Sequence, residues 1–223
     1  LPAGITPVLG PVSSGLGEVY QYTLEHAQDG NRELSEEELT QRRVVQDWVL
    51  RPLLRSISGV AEINSQGGYV KQYHVLVNPE RLRHYKISLS EVYEAVSRNN
   101  ANSGGGVLPQ AAEQYLIRGV GLIQGVNDLG QIVLKEINGT PVYMRDVAEI
   151  KLGHDVRQGA LIKNGTTEAV GGIVMMMTGG NAKEVVSRIK ARVKEINDRG
   201  MLPNDLKVVP YYDRSELVDA ALW

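Results

Sequence analysis

The side chains of this chain best suited to bind or transform something are a few carboxylates, a methionine run and four scattered histidines. Strand alternation places Glu18, Tyr20 and Tyr22 on one face of a first predicted strand, and Glu62, Asn64 and Gln66 on one face of a second. A carboxylate suits hard or borderline divalent cations such as zinc, cobalt, nickel and cadmium, whereas monovalent copper and silver prefer thioether sulfur. Met175-Met176-Met177 is therefore tempting, but on a strand Met175 and Met177 point one way and Met176 the other. The run is not one three-sulfur site, and methionine is a common filler of cores. His26, His74, His84 and His154 stand on different elements without metal-ligand spacing and are expected at the surface. Gly179-Gly180-Asn181 precedes a helix without a lysine-serine/threonine pair in phosphate-loop register, so it reads as a turn and helix cap. No paired carboxylates, nucleophile-histidine set or nucleotide loop converges, which disfavours an enzyme.

The elements that must position these residues form one β-α-β pattern written twice. The first copy runs through strand 19–24, helix 39–55 and strand 59–64, and the second through 168–177, 181–199 and 207–212. Two such units pair into a four-stranded sheet with both helices on one side, the split β-α-β or ferredoxin-like form of an α+β fold. The other sheet face must then meet a partner or a ligand. Helix starts are explicit at Ser35, Ser88 and Asn181, each three residues before a carboxylate, and at Asn78-Pro79. In the second helix Val185, Val186, Ile189, Val193 and Ile196 form a core stripe, with Lys190, Lys194 and Arg199 facing away. In the first, Val44, Val45, Trp48 and Val49 are expected to do the same, with Pro52 loosening the last turns.

What lies between, residues 69–155, is too long and too patterned for a loop and reads as an inserted α+β domain. It has a strand over 69–77, helices near 79–85 and 88–99, and strands over 114–118, 132–137 and 142–152. The run from Ala101 to Pro109 contains Gly104-Gly105-Gly106 and reads as a flexible arm or hairpin tip. Asn138-Gly139 and Asn164-Gly165 mark hairpin turns, which also accounts for their glycosylation-like sequons. The expected division is 1–68 and 156–213 for the outer domain, 69–155 for the insert, and 214–223 as a lead into a following segment.

With 223 residues, two units of about 100 residues each are natural. A hydrophobic share of 42%, a charged share of 22% and a net charge of -2 describe a globular chain without a nucleic-acid surface. The absence of cysteine removes disulfides and thiolate metal sites and fits an oxidising compartment. No apolar run approaches the ~18 residues of a membrane span. The ends, Leu1-Pro2 and Ala220-Ala221-Leu222-Trp223, suggest a piece of something larger.

Seven motifs in order carry a resemblance: Gly10-Pro11, Gly15-Leu16-Gly17-Glu18-Val19-Tyr20, Gln46-Asp47-Trp48, Arg51-Pro52-Leu53-Leu54-Arg55, Gly59 to Ser65, Val142-Tyr143-Met144-Arg145-Asp146-Val147-Ala148, and Tyr212-Asp213-Arg214. Together the chain resembles the first large periplasmic loop of resistance-nodulation-division efflux pumps, in the heavy-metal branch of cobalt-zinc-cadmium and copper-silver exporters. The resemblance implies a trimeric proton/metal antiporter of the bacterial inner membrane that works with a periplasmic adaptor protein and an outer-membrane channel. The outer domain would be a porter subdomain and the insert a docking subdomain. The segment after Arg214 would lead into a membrane helix, and the proton-relay residues would lie elsewhere.

The same resemblance makes Glu18 a cleft residue and a transient metal ligand, with Asn64, Gln66, Met175 and Met177 as further cleft candidates. It makes Gly104, Gly105, Gly106, Val107, Leu108 and Pro109 a trimer-contact arm, against the alternative of an ordinary solvated loop. No permanent cofactor is implied, and the transported ion is expected to be divalent rather than copper or silver. A pump for organic drugs is the nearest alternative, but no phenylalanine and 5% aromatics are a poor lining for large apolar molecules. A non-transporting assembly scaffold is the alternative from another class.

Overall fold

A computed structural model describes residues 17–101, 103–110, 113–119 and 122–215, with 103–110 and 113–119 described by backbone alone. The Gly10-Pro11 motif, most of the Gly15 to Tyr20 motif's leading turn and the end from 216 lie outside the described residues. Along the chain come β1 (Glu18–Glu25), α1 (Glu36–Val45), a π-helical turn (Gln46–Leu50), α2 (Arg51–Arg55), β2 (Val60–Gln66), β3 (Lys71–Val77), α3 (Pro79–Tyr85) and α4 (Leu89–Arg98). There follow β4 (Ser103–Gln110), β5 (Glu113–Gly119), α5 (Val126–Gly130), β6 (Val133–Ile137), β7 (Thr140–Tyr143), α6 (Met144–Val147) and β8 (Ala148–His154). The chain then runs through β9 (Leu161–Lys163), β10 (Thr167–Ala169), β11 (Gly171–Met176), α7 (Ala182–Asp198) and β12 (Lys207–Asp213). It divides into two compact units, residues 1–71 with 154–223, and residues 72–153.

In the first unit the sheet order is β12-β1-β11-β2, with every neighbouring pair antiparallel. Each β-α-β copy thus contributes two strands, and β11 is inserted between β1 and β2. Tyr20, Tyr22, Leu24, Ile63, Val174 and Val208 form one core with Val45, Leu50 and Leu54 of the first helix and Val185, Val186, Ile189, Val193 and Ile196 of α7. Both helices therefore cover the same sheet face. Capping chemistry fixes their starts: Ser35 and Glu38 form a reciprocal capping box, and the Asn181 side chain accepts from the Lys183 and Glu184 amides.

The first helix departs from the expected regular helix. The Arg51 amide donates to the Gln46 carbonyl, five residues back, so one wide turn is inserted just ahead of Pro52. Proline has no amide to give and its ring crowds the preceding turn, and the wide turn relieves both conflicts. It also turns Gln46 into the core and Trp48 outward, where Trp48 is 79% exposed. The expected core role of Trp48 is thereby corrected. Replacing Trp48 with alanine is expected to change the unfolding free energy by less than about 0.5 kcal/mol, measured by urea denaturation of the chain, because no core contact is lost.

Residues 72–153 build their own core from Leu82, Ile87, Val92, Leu129, Ile132, Val142, Met144, Val147 and Ala148. β6 and β7 make a hairpin across Asn138-Gly139, whose φ values of 50° and 81° satisfy a two-residue turn. The single strand expected over 142–152 is interrupted by α6, which the Asp146 carboxylate starts by accepting from the Tyr143 amide at 2.8 Å. β3 pairs with β8. The glycine-rich run is itself a strand, β4, paired with β5 in a two-stranded ribbon rather than a tip.

Candidate functional site

Directly paired residues on neighbouring strands point to the same side of a sheet. With Tyr20, Tyr22, Leu24, Ile63 and Val174 committed to the helix side, the helix-free face is read row by row. Glu18 lies opposite Met175, which lies opposite Glu62. The next row is Tyr212, Gln21, Ile173 and Asn64, and the one after it Val209, Thr23, Gly171 and Gln66.

The expected company of Glu18 changes. The β1-β11 register slips between Glu18 and Tyr20, making Val19 an extra residue in the strand. A bulge of this kind re-aims the side chains around it. Tyr20 and Tyr22, expected beside Glu18, are buried against the helices at 1% and 0% exposure, and Tyr22 donates its hydroxyl to Gln46 Oε1 at 3.1 Å. Glu18 instead joins Gln21, whose Nε2 donates to Glu18 Oε2 at 3.1 Å. Two more slips make Tyr211 the extra residue of β12 and Ala61 that of β2, so three bulges gather at the Glu18 end of the sheet. Burial pushes the Tyr211 phenol above its ordinary value, and the Glu18 charge acts in the same direction.

Met175 is buried yet absent from the helix-side core, whereas Met176 packs against that core. Met177 follows the end of β11 and is 47% exposed, its amide donating to the Gly59 carbonyl at 2.9 Å. Asn64 and Gln66 are exposed on the same face as Glu18, one and two rows away. Glu62 is reached by Arg51 Nη2 at 3.4 Å from α2. Of Gly104 to Pro109 only the backbone is described, in β4.

Neighbouring strands are about 4.8 Å apart, so the Glu18 and Glu62 backbones flank Met175 at roughly 10 Å from each other. Among the described residues no group of three or more histidine, aspartate or glutamate side chains is arranged to hold a metal ion. A carboxylate offers about four lone-pair positions, and the Gln21 amide occupies one on Glu18. Glu18 can therefore offer oxygen to a cation whose remaining ligands come from elsewhere, beside the buried Met175 and the Arg51-paired Glu62.

Part-buried polar contacts hold this sheet in place. Ser65 Oγ donates to Asp47 Oδ1 at 2.5 Å and accepts from Gln46 Nε2 at 3.3 Å, while Arg43 joins Asp47 at 2.7 Å to the Gly67 carbonyl at 2.8 Å. The wide turn at Gln46 lets two consecutive side chains reach the same serine. Beyond it lies a polar cleft of about 440 Å³ lined in part by Arg43, Gln66, Asp155 and Arg157. Both of its arginines are engaged, Arg157 with Glu168 and the Tyr69 hydroxyl. At the other edge Lys190, expected to face away, pairs with buried Asp213 and donates to Ser215 Oγ at 3.0 Å. Burial alone would raise the Asp213 carboxyl, but the hydrogen bonds from Lys190 and Ser215 outweigh it and hold it below the ordinary aspartate value. Burial, with the Asp213 charge adding to it, pushes the neighbouring Tyr20 phenol up to about 12.

Gln21 and the bulge at Val19 carry no sequence signature that alternation could detect. The one available hint is Gly17, where a Cβ would meet the Met176 carbonyl oxygen at 3.1 Å, a close backbone approach at the head of β1.

A helix-backed antiparallel sheet with a carboxylate-bearing second face, joined in one chain to a separate inserted unit, is the arrangement of a known class of transport protein. The chain belongs to the AcrB/AcrD/AcrF family, whose sequence profile matches residues 1–223, and within it to the heavy-metal cation efflux branch of the resistance-nodulation-division transporters rather than to any enzyme. It is 42% identical over 223 residues to protein HelA of Legionella pneumophila, covering all of this chain and 21% of that protein. It is 40% identical to the cation efflux system protein CusA of Escherichia coli K12, and 40% identical to the cobalt-zinc-cadmium resistance protein CzcA of Cupriavidus metallidurans. All of this chain and 20% and 21% of those relatives are covered. A crystal structure of a heavy metal efflux pump superimposes with a TM-score of 0.78 at 35% identity, covering the whole chain and 21% of the pump. The chain thus spans about a fifth of the length of the relatives it matches. No described helix is long and apolar enough to cross a membrane.

Proposed function

We propose that this chain is the periplasmic porter-and-docking portion of a proton-driven metal-cation efflux pump of the bacterial inner membrane. Residues 1–71 and 154–223 serve as the porter subdomain, a split β-α-β (ferredoxin-like) unit whose helix-free face walls a substrate cleft. Residues 72–153 serve as the docking subdomain, and the ribbon carrying Gly104 to Pro109 is the arm that reaches a neighbouring protomer in a homotrimer. The assembled pump works with a periplasmic adaptor protein and an outer-membrane channel, and small rigid shifts of porter units alternate access to the cleft.

The observation that carries this reading is the row Glu18, Met175, Glu62 on the helix-free sheet face, in a chain 40% identical to cation efflux proteins. A carboxylate ligand at Glu18 favours divalent cations such as zinc, cobalt, cadmium or nickel over copper or silver. Glu18 acts as a transient ligand, with Asn64, Gln66, Met175 and Met177 along the ion's path.

The test is survival of a metal-sensitive strain carrying the full-length pump on zinc, cobalt, cadmium, nickel, copper, silver and an organic dye. Protection against divalent metals that Glu18→Ala weakens at least tenfold at equal expression is expected. Protection against the dye alone, or none at all, contradicts the reading.

A further inference from the structure

The Glu18 carboxylate is held by its own sheet, and we infer that Gln21 is the positioning residue that sets its cation affinity. This inference rests on the proposed role of Glu18 in metal transport and extends it to a residue that touches no ion. Without the bulge at Val19, residues 18 and 21 would lie on opposite faces of β1. The extra residue puts them on one face, and the Gln21 amide then donates to Glu18 Oε2 at 3.1 Å. Gln21 sits inside the sheet, opposite Ile173 on one side and Tyr212 on the other, so its side chain has a fixed base. On the outer side Tyr211, the extra residue of β12, feels the Glu18 charge.

The geometry assigns each carboxylate oxygen a task. Oε2 is occupied by a neutral donor that orients the group without cancelling its charge, and Oε1 is left for the cation. A neutral amide does this where a lysine or arginine would neutralise the ligand and a carboxylate would repel it. Three bulges at one end of a four-stranded sheet fit such a device, because bulges gather where a strand must re-aim a side chain. Removing the amide frees the carboxylate to rotate, which weakens ion capture while the later conformational steps remain as they were.

The experiment is zinc flux into proteoliposomes containing the full-length transporter, with KM and kcat measured for wild type, Gln21→Leu, Glu18→Gln and the double variant. Gln21→Leu is expected to raise KM for zinc by roughly tenfold or more at unchanged kcat, the factor that accompanies loss of one hydrogen bond to a charged group. In the Glu18→Gln background the same substitution is expected to add nothing, because there is no longer an anion to orient. Gln21→Asn, whose shorter amide falls short of Glu18, carries the same expectation with less change in polarity. If Glu18→Gln impairs flux while Gln21→Leu and Gln21→Asn leave KM unchanged, or shift it equally in both backgrounds, the positioning role is overturned and the role of Glu18 stands. If Glu18→Gln transports zinc like wild type, the role of Glu18 fails and this inference fails with it.

Discussion

Arg42→Ala is expected to destabilise the sheet-and-helix unit by about 3–5 kcal/mol, the cost of leaving one partner of a buried ion pair alone. Arg42 on α1 reaches back to the loop after β1, where its Nη1 and Nη2 meet Asp29 Oδ2 and Oδ1 at 2.7 and 2.8 Å. The two side chains are 5% and 9% exposed. The same guanidinium donates to the Leu24 carbonyl at 3.1 Å, the His26 amide donates to Asp29 at 2.7 Å, and the half-exposed Arg32 reaches Asp29 Oδ1 at 3.4 Å. Alanine at 42 leaves that desolvated carboxylate with the His26 amide and only the longer, half-exposed contact to Arg32. Substituting both partners with apolar residues is expected to recover much of the loss, since the pair itself contributes little beyond what its desolvation costs. The measurement is the urea midpoint of the unit's transition; a loss under about 1 kcal/mol would place the pair in the class of solvated surface bridges.

The pair also predicts an acid limit. Burial by itself would raise the Asp29 carboxyl, but the hydrogen bonds from Arg42 and the His26 amide outweigh it and lower it below the ordinary aspartate value. A carboxyl depressed in the folded state binds its proton more readily when unfolded. Its contribution is therefore present above the unfolded value of about 4 and fades as the pH falls through the folded one. The wild type is expected to lose stability below about pH 4 more steeply than an Asp29 variant.

Gly67→Ala is the second large effect, expected at about 3 kcal/mol or more, because a clash with backbone adds to a strained torsion. Gly67 sits at φ 70°, and a Cβ built there would stand 2.1 Å from the Ala169 carbonyl oxygen and 3.0 Å from Leu161 Cβ. Neither the β10 backbone nor the turn that brings Arg43 onto the Gly67 carbonyl can yield without breaking its own bonds. Gly139→Ala is the control: it shares the left-handed torsion, at φ 81°, but meets nothing within 4 Å. Its loss is expected to stay near 1 kcal/mol, the cost of the backbone torsion alone. Equal losses at the two positions would contradict the steric argument.

The alternation of Tyr20, Tyr22 and Leu24 and the helical stripe from Val185 to Ile196 were enough to read the paired β-α-β units from the sequence, because burial repeats with the period of the element. Departures arose where one residue was inserted. The wide turn at Gln46 sent Trp48 outward, and the bulge at Val19 parted Glu18 from Tyr20 and Tyr22. Period-based reading assumes that every residue advances the pattern by one step, and each insertion breaks that assumption locally. Long-range ion pairs such as Arg42 with Asp29 and Lys190 with Asp213 were invisible for another reason: charge in sequence does not state which partner folding will bring near. Of the candidate site, Glu62, Asn64 and Gln66 were legible as one-face positions of a strand, whereas the pairing of Glu18 with Met175 and the place of Gln21 became apparent only through the register.

The most direct measurement is anomalous diffraction at the zinc absorption edge from crystals of the full-length transporter soaked in zinc. A zinc peak about 2.0–2.2 Å from a Glu18 carboxylate oxygen is predicted, the distance of a direct carboxylate ligand. The peak should be lost in Glu18→Ala crystals. Zinc bound in the cleft with Glu18 outside its coordination sphere, at the same occupancy in both proteins, would contradict the account.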